Sequence, residues 1–325
     1  MAALIEENYN AREIPHRGLV LINLHELNVF VEAAIAQNFS VAARRLYLSQ
    51  PAVSLHIGNL EKQLGIELFR RNGRSIQLSD AGRVMLPMAQ DALRHVKHLE
   101  ETMWGLKGVL IGHLSIACST TVGKYILPHI VAGYRRCYPQ ARVTINVTSR
   151  RSAIDWLIAG RAEIAVVSAK ISHSELIYEP FASDRIVLLV SADHPWADGR
   201  VVVPTDLLGQ PFISREESSG TSEVLAEGLA AHGIDMGQLE VALTLANAEA
   251  IEMSVEAGIG VAFVSRLAAV RGLALGRVVE VPVEGLELRR QIYMAHHQRR
   301  AATPLQQAFW DYAFSAESAP LRRMA

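Results

Sequence analysis

Apolar residues recur at Leu24, Leu27, Phe30, Val31, Ala34 and Ile35, a stripe at helical spacing that predicts an amphipathic helix over Leu24–Gln37. A short second helix is expected from Val41 to Leu46, with Ser40 as its N-cap and Ala42 and Ala43 leaving room for a close neighbour. Tyr47 and Leu48 then make a turn. From Gln50 to Leu64 the apolar positions Val53, Ile57, Leu60 and Leu64 share one face, and Gln50, Ser54, His56 and Asn59 are left for the other. Ser49 is the predicted N-cap of this helix, Pro51 lies in its first turn and Gly65 ends it. Glu67 to Leu78 reads as a hairpin turning at Asn72-Gly73, with Arg70, Arg71 and Arg74 grouped around it. Short helices followed by a basic hairpin predict a winged helix-turn-helix that sets one helix in the DNA major groove.

The pattern then lengthens. After Ser79, a possible cap, Met85, Ala89, Ala92, Val96, Leu99, Met103 and Leu106 alternate four and three residues apart, a heptad seam with Gln90, Arg94, Lys97, Glu100 and Glu101 on outward positions. Such a helix can also lie on the core of its own domain; a DNA-reading element just upstream favours dimerisation through Ala92, Val96, Leu99 and Met103, because paired recognition helices need a fixed separation. Pro87 removes one helical hydrogen bond and predicts a kink. His95 and His98 have metal-ligand spacing, yet without an accompanying ligand set they read as solvated helix residues.

Beyond Gly108 short apolar runs alternate with helical patterns. Strands are expected at Leu114–Cys118, Val143–Val147 and Ile164–Val167, with helices at Val122–Cys137 and at Ser152–Ala159, the latter closed by Gly160. A second set comprises strands Ile186–Val190, Phe212–Ser214, Val241–Leu245, Val261–Val264 and Gln291–Ala295. Its helices are Thr221–Ala231, stopped by Gly233, and Glu249–Glu256, with a last helix near Leu305–Phe314. This alternation implies parallel sheet with right-handed crossovers and two α/β lobes around a cleft.

Five clusters in order carry a family resemblance: Phe39-Ser40-Val41-Ala42-Ala43, Leu48-Ser49-Gln50-Pro51-Ala52-Val53-Ser54, Leu60-Glu61 with Leu64-Gly65, Leu68-Phe69-Arg70-Arg71, and Leu78-Ser79-Asp80-Ala81-Gly82. The chain resembles the LysR-type transcriptional regulators over roughly sixty residues. A chance helix-turn-helix would reproduce one such cluster. The resemblance implies an N-terminal extension (1–22), a winged helix-turn-helix rich in α-helix (23–82), a long linker and dimerisation helix (83–108) and a periplasmic-binding-protein-like α/β effector domain (109–325). Within that last domain, lobe I covers about 109–184 plus the C-terminal helix region and lobe II about 185–296. It further implies binding of a double-stranded operator as a homodimer that can pair into a homotetramer, contact with RNA polymerase, and response to a small effector. Leu55 and His56 stand where many members carry arginine or glutamine for base contacts, so no operator sequence carries over. The segments Val53–Ile57 and Arg215–Thr221 resemble the branches controlling carbon fixation and sulfur assimilation.

Net charge changes this picture little: at −1 over 325 residues the chain is no general polyanion binder, so positive charge must act locally. Gln50, Ser54 and His56 are expected near base edges, and Ser49, Arg70, Arg71 and Arg74 near phosphates. Ser40 and Pro51 complete the DNA-facing set.

In open α/β sheets ligands sit at strand C-termini, beside helix N-termini. The hydroxyls there are Ser119, Thr120 and Thr121, then Ser149 beside Arg150, then Ser168, and in the second lobe Ser218, Ser219 and Thr221, with Asn247 before a further helix. Each can be an ordinary N-cap. Their convergence from two lobes predicts a small anionic effector held by hydroxyls and backbone amides, with Arg150 adding charge. Ser222 occupies a place where relatives often carry arginine.

Other classes fit less well. A solute-binding protein would explain the back half but not the winged helix. An enzyme would need a nucleophile elbow, a P-loop or a metal-ligand set, and the hydroxyl clusters lack a partnered base. Only Cys118 and Cys137 are present, too few for a disulfide scaffold; they differ from the cysteine positions of the peroxide-sensing branch and read as structural thiols. No secretory leader pattern precedes Asn23, and no run approaches the ~18 to 20 apolar residues of a membrane span, which points to the cytoplasm, with no membrane association and no cofactor beyond the effector.

Overall fold

A computed structural model describes residues 22–72, 75–105, 110–216 and 219–322. The N-terminal extension, the hairpin tip with Arg74, Leu106 and Ser218 lie outside these. The chain divides into two compact bodies, residues 1–99 and 100–325.

The first body is built from α1 (Leu24–Ala36), α2 (Phe39–Arg45), α3 (Gln50–Leu64), the strands β1 (Phe69–Asn72) and β2 (Ser75–Leu78), and the start of α4 (Asp80–Gly105). The apolar stripes close a core of Leu27, Phe30, Ala42, Val53, Ile57, Leu60 and Leu68. Helix α2 begins two residues earlier than predicted: Asn38, extended at φ −159°, accepts the backbone N–H of both Ser40 and Val41, so Ser40 is a first-turn residue and not the cap. The Leu60-Glu61 pair has separate tasks. Leu60 is core, whereas Glu61 Oε1 accepts the N–H groups of Leu68 and Phe69 at 2.7 and 3.1 Å and pins the wing to α3. Ser79 donates to Glu67 O and accepts from Gly82 N, capping α4 as expected. At Gly82 a Cβ would stand 2.2 Å from Leu68 O, so only glycine lets α4 leave the wing this closely.

The second body follows the expected alternation with a different sheet. Lobe I carries β3 (Gly112–Cys118), α5 (Thr120–Tyr125), α6 (Leu127–Cys137), β4 (Ala141–Val147), α7 (Arg150–Ile158) and β5 (Ile164–Val167). Next come β6 (Leu176–Ser191), β7 (Pro211–Arg215), α8 (Gly220–Ala230), β8 (Glu240–Leu245), α9 (Ala248–Glu256), β9 (Ala262–Ser265), α10 (Arg266–Ala274), β10 (Val278–Val281), β11 (Leu288–His297), α11 (Pro304–Phe314) and α12 (Ala319–Arg322). The helix expected over Val122–Cys137 is broken at Ile126, with Pro128 in the first turn of the second piece.

The sheet is mixed, not purely parallel. β3 pairs with β4 and β5 in parallel, but β11 runs antiparallel to both β5 and β6, and β9 and β10 join β6 antiparallel. Strands β6 and β11 therefore belong to both lobes: Tyr293–Ala295 pair with β5, while Ile186–Ser191 pair with β9 and β10. The passage between lobes falls inside these strands, and the expected lobe bounds at 184 and 296 lie within β6 and β11. Their register shifts where Ile292 faces Ala182 and Tyr293 faces Pro180, leaving Phe181 between them, and a bulge is where a strand tolerates proline. Alternation sorts the cores: Ile186, Leu188 and Val190 enter one cluster and Val187 and Leu189 the opposite one, so the sheet is covered on both faces.

Candidate functional site

On the DNA-binding body, Ser49 caps α3 through Ala52 N at 3.3 Å, and Gln50 and Pro51 are exposed at its N-terminal end, with Ser54 half-buried. His56 differs from expectation. Its ring stacks edge-on with His25 at 4.7 Å and its Nδ1 lies 4.0 Å from buried Glu26, so the imidazole is turned toward α1 and not outward to bases. Residue 55, with His56 turned in, is the outward neighbour: Leu55 is exposed. Arg71 lies in β1 and Arg70 beside it, but Arg70 and Arg83 both reach Asp80. These two guanidiniums, Arg83 first, hold the exposed Asp80 carboxyl below the usual carboxylate range. Arg70 thus reaches a phosphate only in competition with Asp80.

In the effector domain the predicted site residues separate into three groups. Ser149, Ser219 and Asn247 are committed caps, accepting from Ser152 N, Thr221 N and the N–H pair of Glu249 and Ala250. Thr121, Ser168 and Thr221 instead gather around a residue the sequence reading missed, Arg290. Its Nη2 donates to Thr121 Oγ1 at 2.9 Å and its Nη1 to Thr221 Oγ1 at 3.2 Å, joining α5 of one lobe to α8 of the other. Behind it Asp184 accepts from Arg290 Nε and from Ser265 Oγ, both at 2.7 Å. A Cβ at Gly220 would lie 2.7 Å from Ser168 Oγ and 3.4 Å from Arg290 Nη1, so the glycine of the Ser-Gly-Thr group allows α8 to start against this cluster. Ser119 and Thr120 stand at the edge of the group, half-buried; Ser119 makes no side-chain capping bond.

Arg150 is in the third group, together with residues not predicted. It pairs with Glu223 through both guanidinium nitrogens, at 2.6 and 2.5 Å, so its charge is already met within the protein, and that pairing strengthens its hold on the proton. Between α5 and α9, Glu249 accepts from Lys124 Nζ at 2.8 Å and from Tyr125 OH at 2.6 Å. Both contacts run from lobe I helices to lobe II helices, as the bridge from Arg290 does. A wide depression of about 820 Å³ lies elsewhere, along edge strand β4 between His113, Arg135 and Arg142, and none of the convergent hydroxyls reaches it. Among the described residues no cluster of metal-ligating side chains occurs, and no helix is long and apolar enough to cross a membrane.

A winged helix-turn-helix joined to a two-lobed α/β domain with an enclosed polar cluster defines a DNA-binding transcriptional regulator with an effector domain. Residues 24–83 match the family model described as bacterial regulatory helix-turn-helix protein, lysR family, and residues 107–316 match LysR substrate binding domain. The chain belongs to the LysR family. It is 36% identical over 282 residues to a probable RuBisCO transcriptional regulator of Cyanidioschyzon merolae, covering 85% of this chain and 92% of that one. Its fold is similar to that of a cysteine variant of full-length OxyR from Pseudomonas aeruginosa, with a TM-score of 0.68 and 21% identity over 94% of this chain and 98% of that one. The regulatory domain of Synechocystis CcmR, solved in complex with 2-PG, matches with a TM-score of 0.57 and 26% identity, covering 62% of this chain and 95% of that one.

Proposed function

We propose that this regulator binds its operator as a homodimer, able to pair into a tetramer and to contact RNA polymerase, and responds to a small anion in the interlobe cleft. The observation that carries the reading is the bridge from Arg290 to Thr121 and Thr221. A guanidinium has donors only, so each threonine oxygen accepts a hydrogen bond from Arg290 and its own O–H is left to donate elsewhere. Two such hydroxyls, one from each lobe, beside the positive N-terminal end of α8, make a donor-rich site suited to a carboxylate or phosphate. An anion bridging both lobes favours one lobe orientation, and that bias can reach the paired recognition helices without touching DNA. The likeness to the CcmR regulatory domain solved in complex with 2-PG supports a small anionic effector, and the likeness to a probable RuBisCO transcriptional regulator supports target genes in carbon assimilation. No catalytic step is assigned, because a guanidinium cannot take a proton from the hydroxyls it faces. The protein needs no cofactor beyond its effector and acts in the cytoplasm.

The test is a thermal-shift screen of the full chain against 2-PG, inorganic phosphate, sulfate and small carboxylates. A ligand at one hundred times its Kd stabilises the folded form by about 2.7 kcal/mol, a readily measured rise in Tm. Thr221→Val should reduce the shift. If no anion raises Tm, or if Thr221→Val and Ser168→Ala respond as wild type does, the effector site lies elsewhere.

A further inference from the structure

Helix α3 turns Pro51, Leu55, Gly58 and Asn59 to solvent along one stripe, the face opposite its buried Val53, Ile57 and Leu60. Leu55 is 63% exposed. A lone exposed leucine is ordinary on most surfaces. This one stands near the N-terminal end of the recognition helix, the part of a helix-turn-helix that meets base edges. The next outward position is Gly58, whose missing Cβ would touch nothing within 4 Å. Glycine inside a helix weakens it relative to alanine, and here no intramolecular neighbour requires it. A body approaching the helix backbone from outside would. With His56 drawn toward Glu26, the polar groups near Leu55 on this face are Gln50, Ser54 and Asn59, and Lys62 and Gln63 are exposed further along the helix.

We propose that Leu55 is a specificity residue that recognises thymine through its C5-methyl group, in a close major-groove approach that Gly58 permits. The thymine methyl is the apolar group of the major-groove edge, and a leucine side chain can bury it without needing a hydrogen bond. Set over the amino group of cytosine or the oxygen of guanine, the same side chain would strip water from a polar atom and give nothing back, so the contact discriminates by penalty as well as by attraction. The proposal rests on α3 being the base-reading helix.

To test it, the full-length protein selects tight-binding duplexes from a random-sequence pool, and the selected duplex is remade with deoxyuridine replacing each thymidine in turn, a change that removes only the methyl. At one position in each half-site the wild type should lose about fourfold in affinity, the worth of one buried methyl-sized group. Leu55→Ala should bind the thymidine and deoxyuridine duplexes alike while melting as wild type does. Gly58→Ala should melt higher yet bind severalfold more weakly. The leucine contact is overturned if no deoxyuridine position matters to the wild type, or if Leu55→Ala retains the full penalty. If Gln50→Ala, Leu55→Ala and Gly58→Ala all bind the selected duplex as tightly as wild type, the fault lies with the premise that α3 reads bases.

Discussion

Arg290 faces Asp184 directly across the β11–β6 ladder, with Nε and Nη2 on the same carboxylate oxygen at 2.7 and 2.6 Å, where the two strands pass from one lobe to the other. Asp184 is 0% exposed and Arg290 7%. Removing one partner of such a pair strands a charge out of water. Arg290→Met should therefore cost about 3–5 kcal/mol in urea unfolding, and Asp184→Leu a similar amount, while the double variant should recover much of the loss because no unpaired charge remains. Strictly additive losses would mean that the two side chains do not act as a pair.

The contact of Glu249 with Lys124 and Tyr125 makes a pH-dependent prediction. Burial pushes the Glu249 carboxyl up, but the hydrogen bonds from Lys124 and Tyr125 outweigh it and leave the group below its ordinary value of 4.5. A carboxyl lowered on folding contributes stability that is fully present above its unfolded value and lost as pH falls through the folded one. With the pair partly open to solvent, the contribution is at most about 1 kcal/mol. Melting curves of wild type and Glu249→Gln should differ at pH 7 and converge toward pH 3. A gap that stays constant over that range would assign the effect to packing and not to charge.

The helices, the wing and most strand centres were legible because each shows a clean period in sequence. The centre of the cleft was not, for a local reason. In β11 the residues Leu288, Arg290 and Ile292 alternate inward, so Arg290 occupies a position where the pattern calls for an apolar side chain. A strand begun at Gln291 leaves that arginine outside, and the missed strand start hid the residue. Asp184 was obscured in the same way: Ser183-Asp184-Arg185 looks like a loop, and Pro180 looks like a break, whereas the bulge at Phe181 carries one strand through both. A charged residue at an inward strand position was the available clue. The capping roles of Ser149 and Asn247 followed from their places before helices, but nothing local distinguishes a capping hydroxyl from one aimed at Arg290. His56 shows a similar limit, since its period fits the solvent face and its contact with Glu26 depends on how α1 crosses α3.

The two thiols should behave differently. Burial pushes the Cys118 thiol up to about 12, where almost no thiolate exists at neutral pH, while Cys137 is exposed at the end of α6. Ellman titration of the native protein at pH 8 should report one reactive thiol, lost in Cys137→Ser, and both after unfolding. Rapid native reaction of Cys118 would reopen a redox role for it.

The long helix shows why a single heptad seam was too simple and what should replace it. Met85, Ala89 and Leu93 turn onto the core of the winged domain, whereas Val84, Met88, Ala92, Leu99 and Met103 are left exposed on another line of the same helix. An α-helix drifts about 20° per heptad against a strict 3.5 repeat, so one apolar spacing can serve an internal core at one end and an external partner further along. The two lines make opposite predictions for a charge. Ala89→Asp buries a carboxylate with no partner and should lower the Tm of the DNA-binding body sharply, whatever the protein concentration. Leu99→Lys leaves a side chain that is already 62% exposed in the single chain, so the fold should melt as before. In a dimer that packs this line against its copy, the same lysine would be desolvated against another lysine, and sedimentation should show dissociation at concentrations where wild type is dimeric, with operator affinity falling in step. A Leu99→Lys protein that stays dimeric and binds DNA as tightly as wild type would move the interface off this helix.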